Sequence, residues 1–145
     1  MTTPSHIPYL LLVDDDPDDR DLFMEAFSKQ NPDCVVEQAN SGRGVLAFLE
    51  SVDELPAVLL LDYQMPDLNG PEILQHLAAN SRYKEMTKIV WSTSQQVKDM
   101  EDCKRLGAAH YMVKPVDTIE LNNIIRQVTT IFYLASLDKE KSALL

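Results

Sequence analysis

Four places in the chain put chemically able side chains directly behind short apolar runs. Tyr9-Leu-Leu-Leu-Val13 is followed by Asp14-Asp15-Asp16, and Ala57-Val-Leu-Leu-Leu61 by Asp62. Lys88-Ile-Val-Trp-Ser92 ends in a hydroxyl with Thr93 beside it, and His110-Tyr-Met-Val113 runs into Lys114-Pro115. Carboxylates crowded into one place repel each other, and a divalent cation is the economical remedy. Oxygen-only ligands favour Mg2+ over zinc or copper. A carboxylate, a hard metal, a hydroxyl and a lysine are together the parts needed to handle a phosphoryl group. The metal and the ammonium neutralise the equatorial oxygens while a carboxylate oxygen attacks phosphorus.

Such groups act together only if the chain brings those run ends to one rim. The runs Tyr9–Val13 and Ala57–Leu61 are apolar throughout, the pattern of strands buried on both faces. Between them, Asp16 and Pro17 read as an N-cap and first helical residue, with Leu22/Ala26 and Phe23/Phe27 spaced as a packed helix face. Asn31-Pro32 ends that helix, and Val35–Gln38 is a weaker strand. Ser41 caps a short helix through Glu50, with Val45, Leu46 and Leu49 inward and Gly42 and Gly44 weakening its start. Leu68-Asn-Gly70 is turn chemistry before a helix opened by Pro71, carrying Ile73, Leu74 and Leu77. A helix from about Gln95 to Leu106 stops at Gly107. Asp117 and Glu120 form a relative of the capping box. The last helix is apolar along Leu121, Ile124, Ile125, Val128, Ile131, Phe132 and Ala135, and is expected to reach about Leu137 before a frayed tail. Five βα units in series predict an α/β protein: a doubly wound, five-stranded parallel sheet with helices on both faces. Sites in such sheets form at the carboxyl ends of the strands, near a topological switch point.

Composition narrows the function classes. The 145 residues fit one domain. A net charge of −10 argues against nucleic acid and against attraction to an anionic membrane surface. Six aspartates fall between Asp14 and Asp21, where Asp16 serves as cap and Asp18, Asp19 and Asp21 are expected mostly on the surface. Cys34 and Cys103 lack metal or disulfide spacing and read as small apolar fillers. His6, His76 and His110 show no ligand spacing. Met1–Pro8 lacks the basic start and apolar run of a signal peptide, and no stretch approaches the ~18 apolar residues of a spanning helix. A cytoplasmic protein is the default expectation.

The segments LLLVDDDPDD, LLLDYQMPDLNG, IVWSTS and GAAHYMVKP, in that order and at those intervals, resemble the receiver domains of two-component response regulators. The likeness is to the stand-alone kind, similar to the chemotaxis receiver and to small phytochrome-partnered regulators. It implies the flavodoxin-like (βα)5 receiver fold, with one domain over residues 1–145, a core at about 9–130, and an extended helix and tail at 131–145. It implies that Asp62 is the phosphoacceptor, served by a sensor histidine kinase or phosphotransfer protein. Asp14 and Asp15 would be the acidic pair, with Asp15, Asp62 and the Gln64 backbone carbonyl ligating Mg2+ and Asp14 acting more through water. Ser92 and Lys114 would contact the acyl phosphate, and a cis peptide would precede Pro115. Tyr111 would be the aromatic switch, turning inward as Ser92 moves toward the phosphoryl group. The fourth helix, fifth strand and fifth helix would then signal to a downstream protein target. Such a chain is no enzyme in the ordinary sense, although it assists its own phosphorylation and dephosphorylation.

Two departures from the family pattern stand out. Thr93 occupies a position that is usually very small, which predicts altered, slower access of phosphodonor and water. Tyr133, Leu134 and Leu137 extend the last helix and offer a possible homodimer surface. Competing readings are a receiver used only as a non-phosphorylated binding module and a haloacid-dehalogenase-type phosphohydrolase. The latter would use Asp14 and Asp16 as its D-x-D pair, but Asp18 breaks its pattern and Asp62 would be redundant.

Overall fold

A computed structural model describes residues 7–144 of the chain, with side chains described through Lys139. The elements alternate: β1 (Tyr9–Val13), α1 (Pro17–Gln30), β2 (Val35–Ala39), α2 (Gly42–Ser51), β3 (Val58–Asp62), α3 (Gly70–Ala78), β4 (Thr87–Ser92), α4 (Val97–Arg105), β5 (His110–Val113) and α5 (Thr118–Leu144), with a 3₁₀ turn at Ser81–Tyr83 before β4. The sheet order is β2-β1-β3-β4-β5, every pairing parallel. The chain therefore steps outward from β1 to β2, then returns across β1 to build β3, β4 and β5. That reversal places the switch point between β1 and β3.

Alternation along the strands fills both faces. Leu11, Val13, Leu59, Leu61 and Val90 pack with α2 and α3, while Leu10, Leu12, Val58, Leu60, Ile89 and Trp91 pack with α1 and α5. On the second face the aromatic rings interlock. Phe23 and Phe27 stack at 5.4 Å, Phe23 meets Trp91 edge-on at 5.6 Å, and Phe27 meets Phe132 at 6.4 Å. Such offset and edge contacts add to the area buried by each ring. Buried Asn31 donates from its amide to the Phe27 carbonyl and to Thr129 Oγ1, at 3.2 and 2.9 Å, tying the end of α1 to α5.

Local chemistry explains the boundaries. Asp16 accepts from the Asp18 N–H and Pro17 begins α1, while Ser41 accepts from the Gly44 N–H and starts α2. Asn69 and Glu72 form a reciprocal capping box at α3. At α5, Asp117 accepts from the Glu120 N–H, and the Glu120 carboxylate reaches one residue further back, to the Val116 N–H. Gly107 leaves α4 with φ +109, a conformation that favours glycine. Gly42 has another reason to be glycine: a Cβ there would lie 2.5 Å from Leu68 Cβ, in the loop that follows β3.

Three expectations need correction. Leu22 is 55% exposed, so the buried face of α1 is carried by Phe23 and Phe27, one residue round the helix. The last helix does not end near Leu137 but continues to Leu144. Packing explains its length: Phe132 and Ser136 are buried, and Lys139 donates to the Leu55 carbonyl and lies 4.0 Å from Glu54. Among the described residues there is no cis peptide, so Lys114–Pro115 is trans, the isomer favoured by about 0.5–1 kcal/mol at X–Pro bonds. Of the Met1–Pro8 segment, residues 1–6 lie outside the described residues, as does the end of the tail. No described helix is long and apolar enough to cross a membrane.

The two faces of α5 should differ sharply on truncation. Phe132→Ala is expected to cost about 3–5 kcal/mol in urea unfolding, whereas exposed Leu134→Ala stays within about 0.5 kcal/mol. Equal losses would contradict this assignment of faces.

Candidate functional site at the switch point

β1 and β3 are neighbours, so their carboxyl ends deliver Asp14 and Asp62 side by side. Both are buried, at 0% and 4% exposure, because the strands feeding them are enclosed on both faces. Asp15, one residue along, turns outward and is exposed. Carboxylate oxygens of Asp14, Asp15 and Asp62 all lie within 4.8 Å of one another. Lys114, immediately after β5, donates its N–H to the Ser92 carbonyl at 2.7 Å, extending the β4–β5 ladder past the strand end. Its side chain crosses the rim. The ammonium lies 3.0 Å from Asp14 Oδ2, 3.2 Å from Asp62 Oδ1 and 2.9 Å from Asp19 Oδ2, and 5.1 Å from the centre of the Trp91 ring.

The electrostatics follow from crowding. Burial and the adjacent Asp14 charge push the Asp62 carboxyl up to about 7, against the pull of Lys114. Burial draws the Lys114 ammonium down, but the hydrogen bond it donates to Asp19 and the charges of Asp62 and Asp14 outweigh it and hold the group above an ordinary lysine. The cluster thus carries more negative charge than one lysine offsets. Asp14 Oδ1 is satisfied by the Asp16 N–H at 2.9 Å, and the Asp14 carbonyl by Arg20 Nη1 at 2.7 Å. Asp14 Oδ2 is buried near Lys114 without an aligned hydrogen bond among the described residues. A buried carboxylate oxygen whose one close partner is an ammonium shared with two other carboxylates, in a set of oxygen donors only, fits a hard divalent cation.

The remaining candidates form a second group next door. Ser92 ends β4 at 1% exposure, and its Oγ accepts from the Ser94 N–H at 3.1 Å. Tyr111 is half-buried against the α2/α3 face of the core, with its hydroxyl donating to the Ser94 carbonyl at 3.0 Å. Gln64 is exposed in the loop after β3, its N–H donating to Asp62 Oδ1 at 3.3 Å. Thr93 is exposed at the rim. Asp19 departs from the expectation of a surface residue. Its place on the first turns of α1 instead aims it at Lys114. The N-cap at Asp16 was the available signal, since it sets which face the next aspartates take.

A doubly wound parallel sheet with paired buried carboxylates and a lysine at its switch point has the architecture of a receiver domain. A profile of the response regulator receiver domain matches residues 10–126, and the chain belongs to that family. It is 32% identical over 119 residues to the protein PilH of Pseudomonas aeruginosa, covering 82% of this chain and 95% of that one. It is 31% identical over 123 residues to an uncharacterized 14.6 kDa protein of Leptolyngbya boryana, covering 85% and 91%. The solved structure of the phosphorylated cyanobacterial phytochrome response regulator RcpA superposes with a TM-score of 0.80 at 23% identity, over 87% of this chain and 94% of that one, and shares the fold.

The crowding has a measurable signature. The folded chain binds a proton at Asp62 up to about pH 7, whereas an unfolded aspartate releases it near pH 4. Between those values the native state holds the extra proton, so stability falls as pH rises. Without metal at pH 8, Asp62→Asn is expected to raise the melting temperature by about 5 °C, with the gain fading toward pH 5. Thermal unfolding in EDTA measures this, and an unchanged or lower melting temperature at pH 8 would refute the crowding.

Proposed function

We propose that this chain is a single-domain response regulator whose Asp62 accepts a phosphoryl group from a phosphohistidine on a sensor histidine kinase or phosphotransfer protein. Receiver domains of this family work with such partners, and no nucleic-acid or membrane contact is part of the reading. The observation that carries it is the convergence of Asp14, Asp15, Asp62 and Lys114 at the switch point. One Asp62 carboxylate oxygen forms the new bond to phosphorus as the bond from phosphorus to the histidine nitrogen breaks. Lys114 already spans Asp14 and Asp62, so its ammonium can stay in place and exchange a carboxylate contact for a phosphoryl oxygen. Ser92, buried one strand away, supplies a hydroxyl to another phosphoryl oxygen. Asp14, Asp15, Asp62 and the Gln64 carbonyl would hold Mg2+, which when bound supplies positive charge against the phosphoryl oxygens.

Signalling in this reading passes from Ser92 through the β4–α4 loop to Tyr111, and out over the α4–β5–α5 surface to a downstream protein in the cytoplasm. The acyl phosphate favours one of two loop arrangements because it makes contacts with Ser92 and Lys114 that only that arrangement offers. The domain is taken as residues 1–145, with the length of α5 beyond about residue 130 as an extension. Thr93, exposed beside Ser92, screens the acceptor from water.

Incubation with Mg2+ and acetyl phosphate is expected to add one acid-labile phosphoryl group by intact mass, absent in Asp62→Asn. Lys114→Ala should slow its appearance by about 10²–10³-fold. No adduct on the wild-type chain would favour a non-phosphorylated binding module. Thr93→Ala should shorten the lifetime of the adduct, and an unchanged decay rate would remove the screening role.

A further inference from the structure

Beside the carboxylate cluster lies a hydrogen-bonded network centred on Asp99, a residue the phosphoacceptor chemistry does not use. Tyr63 directly follows Asp62, and its phenol donates to Asp99 Oδ1 at 3.3 Å. Ser94 lies two residues past Ser92, and its hydroxyl donates to Asp99 Oδ2 at 2.6 Å, a short, charge-assisted bond. The same Ser94 Oγ accepts from the Gln96 N–H at 3.2 Å. The Ser94 N–H donates to Ser92 Oγ at 3.1 Å, and its carbonyl accepts from Tyr111 at 3.0 Å. One loop residue is thus held by contacts to β4, β5 and α4, and Asp99 extends the network to the residue next to the acceptor.

An acid in the first turn of a helix needs little explanation, since it complements the macrodipole. That role does not call for each carboxylate oxygen to be taken by a hydroxyl from a different element. Tyr111 packs partly buried against the core, and its bond to the Ser94 carbonyl makes it a member of the same network. We propose that Asp99 is a positioning residue for phosphoryl transfer. By engaging Tyr63 and Ser94 together, it holds the Thr93–Gln96 loop, and with it Ser92 and Tyr111, in the inward arrangement before phosphorylation. This rests on Asp62 being the acceptor. A site whose competent arrangement is already populated reacts in proportion to that population, so loss of the tie lowers the rate by the fraction lost.

The test uses the full chain and two readouts. Amide hydrogen exchange in the unphosphorylated protein follows Ser94 and Gln96, and intact mass follows the initial rate of modification by acetyl phosphate and Mg2+. Asp99→Asn is expected to speed loop exchange about tenfold and slow phosphorylation by a similar factor, with the same single adduct at completion. Tyr63→Phe removes one contact to Asp99, and Ser94→Ala removes the other together with the acceptor of the Gln96 N–H, so exchange in that variant is read at residue 94 alone. Their effects should be smaller than, and not additive with, that of Asp99→Asn, and they preserve the test if that variant folds poorly. Asp102→Asn, which removes another acid of α4, paired with Arg105, controls for charge and should change neither readout. Loop exchange or a phosphorylation rate unaffected by Asp99→Asn overturns the positioning role alone. A wild-type chain that takes no phosphoryl group, with exchange still responding to Asp99→Asn, overturns the acceptor reading and the role built on it while leaving the network itself intact.

Discussion

The structure turns on mutual repulsion between two buried carboxylates. Asp14 and Asp62 end adjacent strands in a desolvated pocket, and one ammonium cannot neutralise both together with Asp15 and Asp19. Charges taken from water without full compensation destabilise a fold. The surrounding architecture tolerates them because the strands that present them are buried on both faces and locked by large apolar side chains. A looser sheet would relieve the repulsion by moving the strands apart. This one cannot, so the strain stays at the rim, where a cation or a phosphoryl group can act on it.

Legibility in the sequence followed the physics of each feature. Strand ends were readable because an apolar run stopping at Asp62 or Lys114 leaves few choices about where that side chain emerges. That Asp14, Asp62 and Lys114 meet needed only the parallel topology, which the alternation of strand and helix patterns supplied. Asp19 is obscured because Asp18, Asp19 and Asp21 at a helix start all look like solvated surface, and only the helix phase set by Asp16 separates the one that reaches Lys114. The Ser94–Asp99–Tyr63 network was out of reach for a different reason. Its members sit in a loop, a helix start and a strand-following residue whose spacing matches no periodic rule. The end of α5 is hidden because a charged run reads as fraying, whereas the Lys139 ammonium docks on the segment before β3.

The two groups of polar residues divide the site by kind. One is ionic, with Lys114 at its centre, and is organised by the strands. The other is built from neutral hydroxyls and backbone groups around a single carboxylate, and is organised by the β4–α4 loop. Ser92 belongs to the strand by its backbone and to the loop by its hydroxyl. It is the residue at which the strand end and the loop network meet.

Trp91 gives this arrangement an observable of its own. It is the one indole in the chain, it is buried against Phe23, and the Lys114 ammonium sits over its ring. A cation at that distance shifts the electronic levels of the indole as well as binding to it. Any event that draws the ammonium outward changes the field on a lone chromophore with no second indole to blur the signal. The molecule therefore carries a built-in optical voltmeter, and it is wired to the same lysine that manages the charge of the pocket.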